Sequence, residues 1–220
     1  MSLHTCQRIG HGGASALAPG NTLESFDAAL EVGVDMVEFD VRQYRGELVL
    51  AHTVLDARRR DCVRLHEALD HLSARRFCGV GLNVDVKHVG FEPALLHGLA
   101  QARLLERTLI SSQITAVLDR CRAIEPGVRT GISIGGPMAR LSRRWTSWRD
   151  QVLAGLTNHR WDALMAQHRL IDTRLVDEVV ARDGLLFAWT VNERAAIQSL
   201  QGLGVHGITT ADPRLFAPAW

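Results

Sequence analysis

The amino-acid sequence predicts an α/β fold, a closed (β/α)8 TIM barrel with a β-hairpin inserted after the second strand. Short β-rich runs alternate with helical segments along almost the whole chain. Several of these runs are apolar at most positions, which is typical of parallel strands that are covered on both faces. The 220 residues suit one barrel of this kind. We therefore predict a single barrel domain over residues 1–220.

The predicted elements follow one another in a regular order. The strands are expected at residues 7–10, 36–41, 82–87, 108–111, 129–133, 163–167, 186–190 and 207–209. Helices are expected at residues 22–32, 93–102, 114–124, 170–183 and 193–200. Asn21 and Asn192 each precede a helix, where a side chain that accepts a backbone N–H is favoured, so we expect both to be N-caps.

One segment breaks the alternation. Residues 47–52 are strand-like, yet only residues 42–46 separate them from the preceding strand. A parallel crossover needs a dozen or more residues, so the two runs are expected to form an antiparallel hairpin. Its second arm would return His52 to the mouth of the barrel.

Acidic residues interrupt two of the most apolar strands. Glu38 and Asp40 lie two positions apart, and Asn83, Asp85 and Lys87 share the same spacing on the next strand of the barrel. This spacing places the polar side chains of each strand on one face. Buried charges are costly unless they are paired. A hard divalent cation, Mg²⁺ or Ca²⁺, together with an anionic substrate would pair with them.

The predicted strand ends bring further polar groups to the same opening. His11 follows the first strand and Trp189 lies at the end of the seventh, and chemistry in such barrels collects at the carboxyl ends of the strands. His11 and His52 could then act as general base and general acid, with Lys87 on a phosphate oxygen. Each residue also has a structural interpretation: a solvated strand face, a loop histidine, a core tryptophan, or an ion pair between Asp85 and Lys87.

Residues 140–161 combine arginines with tryptophans. They could form a rim segment that binds phosphates or a lipid surface. Alternatively, they form a barrel helix whose arginine stems cover apolar surface.

The net charge, the apolar stretches and the cysteines exclude some classes of protein. A net charge of +1 gives no overall attraction to nucleic acid or to a membrane surface. No apolar stretch approaches the ~20 residues of a spanning helix, and the first residues do not resemble a secretory signal, so we expect a cytoplasmic protein without a transmembrane segment. The four cysteines are scattered and are expected to be free thiols. The oligomeric state is not predicted.

The order and spacing of these motifs resemble the glycerophosphodiester phosphodiesterase family. The matching residues are His11, Asn21-Thr22, Glu38-Phe39-Asp40-Val41, Val49-Leu50-Ala51-His52, Asp85-Val86-Lys87, Trp189-Thr190-Val191-Asn192 and residues 204–213. The resemblance implies a barrel with one divalent ion, a pair of acid/base histidines and hydrolysis of phosphodiesters.

The chain also departs from the family pattern. Gly12 replaces an arginine that is expected to contact phosphate, Gly20 replaces a glutamate, and Thr53 replaces an aspartate. Asp85 stands where a glutamate is common. This last change resembles the related sphingomyelinase-like phospholipases D, which also have an Asp-x-Lys motif.

We therefore expect a metal-dependent phosphodiesterase that hydrolyses glycerophosphodiesters to glycerol phosphate and an alcohol. The expected residues are Glu38, Asp40 and Asp85 as metal ligands, His11 and His52 as acid and base, and Lys87 and Trp189 at the substrate. Three alternatives remain. The first is a phospholipase D-like enzyme that forms a cyclic phosphate from lysophospholipids. The second is a ligand-binding barrel that has lost turnover, and the third is an unrelated metal-dependent aldolase or isomerase.

Overall fold

Eight parallel strands close into a ring in the computed structural model, which describes residues 6–59, 61–136 and 144–217. The strands are β1 (Gln7–Gly10), β2 (Met36–Tyr44), β3 (Glu47–Leu50), β4 (Gly81–Val86), β5 (Thr108–Ser112), β6 (Arg129–Ile134), β7 (Ala163–Gln167), β8 (Leu185–Trp189) and β9 (Gly207–Thr210). Their order is β1-β9-β8-β7-β6-β5-β4-β2, and β1 pairs with β2 to close the ring. β3 lies outside it, so the predicted TIM barrel is confirmed.

Helices pack around the ring and against the hairpin. They are α1 (Leu23–Val32), α2 (Val54–Arg59), α3 (Leu65–Ser73), α4 (Glu92–Gln101), α5 (Thr115–Ile124), α6 (Arg144–Thr157), α7 (Thr173–Val180) and α8 (Arg194–Leu203). A short 3-10 turn, Pro213–Phe216, follows β9 in place of a last helix. The five predicted helices correspond to α1, α4, α5, α7 and α8, with ends that differ by up to three residues.

The predicted hairpin is present and is tighter than the sequence suggested. β2 continues to Tyr44, which pairs with Glu47, and Arg45 and Gly46 form the turn with φ angles of 51° and 88°. Two successive left-handed residues are typical of the type I′ turn that joins two twisted strands. The returning arm ends beside Asp40, whose carbonyl accepts the Ala51 N–H at 3.2 Å.

The interior of the ring is apolar at one end and polar at the other. Alternate strand residues point inward, and at the amino end they form a buried cluster of Ile9, Met36, Leu109, Ala163, Met165 and Phe187. Two residues further along the strands the buried inward positions are polar, at Asn83, Ser111, Ser133 and Thr209. Apolar side chains thus fill the barrel at the amino ends of its strands, and a polar cavity opens at their carboxyl ends.

The arginine- and tryptophan-rich stretch belongs in part to the outer helices. Arg149 of α6 binds Glu178 of α7 at 2.6 Å, and Arg160 binds Asp119 of α5 at 2.6 Å. Trp161 is buried against the backbone of α6. These contacts agree with the barrel-helix interpretation. Arg140 and Arg143 lie outside the described residues.

Two further expectations concern the whole chain. The cysteines at positions 6, 62, 78 and 121 are all free thiols, as predicted. Among the described residues, no helix is long and apolar enough to cross a membrane.

Candidate active site

The three predicted metal ligands meet at the carboxyl ends of two neighbouring strands. β2 and β4 pair so that Asp40 lies beside Asp85 and Glu38 lies beside Asn83. One carboxylate oxygen from each of Glu38, Asp40 and Asp85 lies within 4.8 Å of the other two. Glu38 and Asp40 are buried, with 5% and 2% of their surfaces exposed. The strand register therefore concentrates three acidic groups in a small volume.

Lys87 supplies positive charge to this cluster. Its ammonium nitrogen Nζ lies 2.6 Å from Asp85 Oδ2 and 2.7 Å from Asp40 Oδ1, and its side chain is largely buried. Three carboxyl groups thus face one ammonium group in this arrangement. The imbalance leaves the cluster with the capacity to bind a further cation.

The backbone of the loop after β1 holds Glu38. Gly12 adopts a left-handed conformation with φ of 55°, and its N–H donates a 2.9 Å hydrogen bond to Glu38 Oε2. His11 lies just before it, with its N–H bonded to the Thr210 carbonyl of β9. Its ring nitrogen Nε2 is 3.9 Å from Glu38 Oε2, too far for a direct hydrogen bond. The imidazole is therefore placed at the cluster without being bound to it.

His52 approaches the cluster from the hairpin. Its Nδ1 lies 3.3 Å from Asp40 Oδ1, and 60% of its side chain is exposed. Arg42 on β2 donates a 3.0 Å hydrogen bond to the His52 carbonyl, which ties the end of the hairpin arm to the strand beside it. The two histidines thus reach the same carboxylates from different elements.

The cluster displaces the pKa values of its members in different directions. Burial, followed by the charges of Asp40 and Asp85, raises the pKa of Glu38 well above its usual value. Burial acts on Asp40 in the same sense, but hydrogen bonds from the neighbouring imidazole, ammonium and amide groups bring its pKa below the usual value. Burial also raises the pKa of Asp85 against the opposing effect of Lys87. Such divergent values are typical of functional sites.

The two imidazoles also differ. Burial lowers the pKa of His11, with further contributions from His52 and Lys87, and only the charge of Asp40 opposes them. The hydrogen bond to Asp40 raises the pKa of His52, although partial burial acts against it. Two histidines with pKa values displaced in opposite directions suit a pair in which one accepts a proton and the other donates one.

All seven predicted site residues line one cavity of about 150 Å³ at the mouth of the barrel. They are His11, Glu38, Asp40, His52, Asp85, Lys87 and Trp189. Trp189 forms part of one wall, and its indole N–H donates to the Met165 carbonyl at 2.9 Å, which fixes the ring. A second cavity, of about 250 Å³, shares His52, Asp85, Lys87 and Gln113 with the first.

Asn21 is a site residue that the sequence analysis assigned to another role. The N-cap of α1 is Thr22, whose hydroxyl accepts the Ser25 N–H, so the predicted Asn21 cap is wrong. Asn21 instead donates from Nδ2 to Asp40 Oδ2 at 2.8 Å and accepts the Asp40 N–H at 2.9 Å. The Asn-Thr motif marks Asn21 in the sequence. It does not reveal the contact with Asp40, because the two residues are 19 positions apart.

The second predicted cap is also corrected. Glu193 is the N-cap of α8. Asn192 instead accepts hydrogen bonds from the Thr210 hydroxyl and the Ala211 N–H, which joins the loops after β8 and β9. Both asparagines act across the mouth of the barrel because tertiary partners compete with the local cap.

Gly12 stands where the family has an arginine, and Arg8, Arg42 and Arg143 are the candidates to replace that side chain. Arg8 pairs with Asp35 at the amino end of the barrel, and Arg42 is directed to the His52 carbonyl. Neither lines the cavity. Arg143 lies outside the described residues.

The ligand chemistry fits a hard divalent ion. The candidate donors are the carboxylate oxygens of Glu38, Asp40 and Asp85, and no thiol lines the cavity among the described residues. Oxygen ligands of this kind favour Mg²⁺ or Ca²⁺ over softer metals.

Comparison with known proteins places this chain in a family. Residues 11–58 and 86–215 match the sequence profile of the glycerophosphoryl diester phosphodiesterase family. The chain belongs to this family. It is therefore a phosphoric diester hydrolase, as the sequence analysis expected.

Individual relatives agree with the assignment. A Bacillus subtilis (strain 168) protein named "Putative glycerophosphodiester phosphodiesterase YhdW" is 25% identical and aligns with 93% of this chain and 94% of its own length. A crystal structure from Silicibacter pomeroyi DSS-3, titled "Putative glycerophosphoryl diester phosphodiesterase", superposes with a TM-score of 0.84 at 22% identity and covers 96% of this chain and 92% of its own. An Oleispira antarctica phosphodiesterase in complex with the product sn-glycerol-3-phosphate has a TM-score of 0.73 at 21% identity and covers 94% of each chain.

Proposed function

We propose that this protein hydrolyses glycerophosphodiesters to glycerol phosphate and an alcohol, with one Mg²⁺ or Ca²⁺ held by Glu38, Asp40 and Asp85. The proposal is supported most directly by the cavity in which these carboxylates, two imidazoles and an ammonium group come together. The product bound to the Oleispira antarctica relative is of the same chemical class.

The three carboxylates would hold the ion at the carboxyl end of the barrel. A bound divalent ion would withdraw electrons from a non-bridging phosphate oxygen and neutralise the charge that develops on it. Lys87 would provide additional fixed positive charge at the phosphate. Its bonds to Asp40 and Asp85 keep the ammonium group close to the position of the phosphate.

His11 and His52 would transfer the protons. One imidazole accepts the proton of the attacking water or substrate hydroxyl, and the other donates a proton to the oxygen of the leaving alcohol. His11 is held by β1 and its loop, whereas His52 is held by the hairpin and Arg42. Because they enter from different elements, they can serve two different oxygens of one phosphodiester.

Trp189 would form the wall for the glycerol or head group. Its indole N–H is already bonded to Met165, so the ring presents a flat apolar surface rather than a donor. This wall lies in the same cavity as the carboxylates.

Phosphorus NMR of a substrate panel tests this proposal. Glycerophosphodiesters and lysophospholipids would be incubated with the protein, with and without a chelator, and with Asp40→Asn as the matched inactive variant. We expect chelator-sensitive formation of glycerol phosphate. A cyclic phosphate from lysophospholipids would favour the phospholipase D-like alternative. Metal-dependent binding without any turnover would favour a barrel that has lost catalysis.

A further inference from the structure

Asn83 is a buried polar residue that the site described above does not use. It lies on β4, two residues before Asp85, and only 3% of its surface is exposed. It lines the same cavity as the acidic cluster. Its side-chain oxygen Oδ1 is buried and has no hydrogen-bond partner within the described parts of the chain. Buried amide oxygens are nearly always paired, so this one requires an explanation.

The strand register places Asn83 at the fourth corner of a square. Glu38 and Asp40 point inward from β2, and Asn83 and Asp85 point inward from β4. Glu38 pairs with Asn83 and Asp40 pairs with Asp85. Three corners carry the carboxylate oxygens that lie within 4.8 Å of one another, and the fourth carries the amide.

Packing alone does not account for an amide at this corner. The inward positions below it are apolar, at Met36, Leu109 and Phe187, and a leucine would continue that cluster without burying a polar group. A fourth carboxylate would add repulsion to a group that Lys87 already balances incompletely. An amide oxygen can bind a cation without adding charge.

The coordination chemistry of hard cations supplies the reason. Mg²⁺ takes about six oxygen ligands and Ca²⁺ about six to eight, and side-chain amide carbonyls are among the usual donors. Three carboxylates do not complete such a shell. A half-turn of the amide about its terminal torsion exchanges the oxygen and nitrogen ends, so either end can face the cavity.

We propose that Asn83 is a fourth, uncharged oxygen ligand of the divalent ion, which it binds together with Glu38, Asp40 and Asp85. This inference rests on the proposed function, because it assumes that an ion binds at the acidic cluster. It adds to the proposed metal site one residue of β4, the partner of Glu38 in the strand pairing.

Calorimetric titration of metal-free protein with Mg²⁺ and with Ca²⁺ tests the proposal without measuring turnover. The variants are Asn83→Leu, which keeps the branched shape but has no ligand atom, and Asn83→Asp, which keeps an oxygen donor. Ser133→Ala removes a polar group from the wall of the same cavity two strands away and is the matched control. Thermal unfolding of each metal-free variant shows that it is folded.

The expected pattern is specific to a ligand. Asn83→Leu should weaken ion binding by about 10- to 100-fold, the range found when groups that support a metal site are removed. Asn83→Asp should bind the ion at least as tightly as wild type, and Ser133→Ala should match wild type. If Asn83→Leu is unstable when metal-free, Asn83→Ala, which also has no ligand atom, and Asn83→Asp provide the same comparison.

Two results would overturn the inference while leaving the metal site intact. One is wild-type ion affinity in folded Asn83→Leu. The other is an equal loss of affinity in Asn83→Leu and Asn83→Asp, which would indicate a packing role. A wild-type protein that binds neither ion would instead overturn the metal site of the proposed function itself.

Discussion

Replacement of Asn21 tests how the carboxylate of Asp40, a proposed metal ligand, is positioned. Its amide forms two hydrogen bonds with Asp40, one to Oδ2 at 2.8 Å and one from the backbone N–H at 2.9 Å. Asn21 also has a left-handed backbone, with φ of 62°. Asn21→Gly removes both hydrogen bonds but retains easy access to that conformation. Asn21→Ala removes the same bonds and adds backbone strain.

The size of each effect follows from these contacts. A hydrogen bond to a charged group contributes about 1.5–3 kcal/mol and a neutral one about 1 kcal/mol, so Asn21→Gly should lower the free energy of unfolding by about 2.5–4 kcal/mol. Asn21→Ala should cost about 1 kcal/mol more, because a side chain with a Cβ disfavours the left-handed region. The freed Asp40 carboxylate should bind the ion about 10- to 100-fold more weakly.

Denaturant unfolding of the metal-free proteins measures the first two effects, and calorimetric titration with Mg²⁺ or Ca²⁺ measures the third. Wild-type ion affinity in Asn21→Gly would refute the reasoning, since Asp40 would then be positioned without its partner. Equal stabilities of the Gly and Ala variants would refute the backbone part of the argument.

The remaining predictions concern catalysis, charge and packing. His11→Ala and His52→Ala should each lower turnover by at least ~10²-fold while ion affinity is retained, and wild-type hydrolysis in either would remove that residue from the mechanism. Lys87→Met should destabilise the metal-free protein by about 3–5 kcal/mol, because it leaves buried carboxylates unpaired, and equal unfolding free energies would contradict the ion pair. Gly155→Ala should cost about 1–3 kcal/mol, because its Cβ would overlap an indole ring, whereas Gly202→Ala on an open helix face should be neutral or stabilising. Thermal unfolding measures the stability of both variants, and an equal change in the two would contradict the close contact between Gly155 and the indole ring.

The sequence predicted the features that depend on local periodicity. The two-residue spacing of Glu38 and Asp40 fixes their common face on any strand and places their apolar neighbours on the opposite face. The short separation of two strand-like runs excludes a parallel crossover, and the resulting hairpin directs His52 to the mouth of the barrel. Parallel strands then have to bring their carboxyl ends to one opening.

Local periodicity does not predict contacts between segments that are distant in the sequence. Asn21 and Asn192 have the local environment of N-caps, and only the folded chain shows that Asp40 and Ala211 are their partners. The role of Arg42 at the His52 carbonyl depends on the geometry of the hairpin turn. Asn83 was placed correctly on the face of Asp85, but the absence of a hydrogen-bond partner for its Oδ1 among the described residues depends on every group around it.

A crystal of the protein soaked in Mn²⁺, used as an anomalous substitute for Mg²⁺, tests the central claim most directly. We predict one anomalous peak at the mouth of the barrel, with oxygen atoms of Glu38, Asp40 and Asp85 at bonding distance, and no peak there in crystals of Asp40→Asn. An ion bound elsewhere, or an unchanged peak in the variant, would contradict the account.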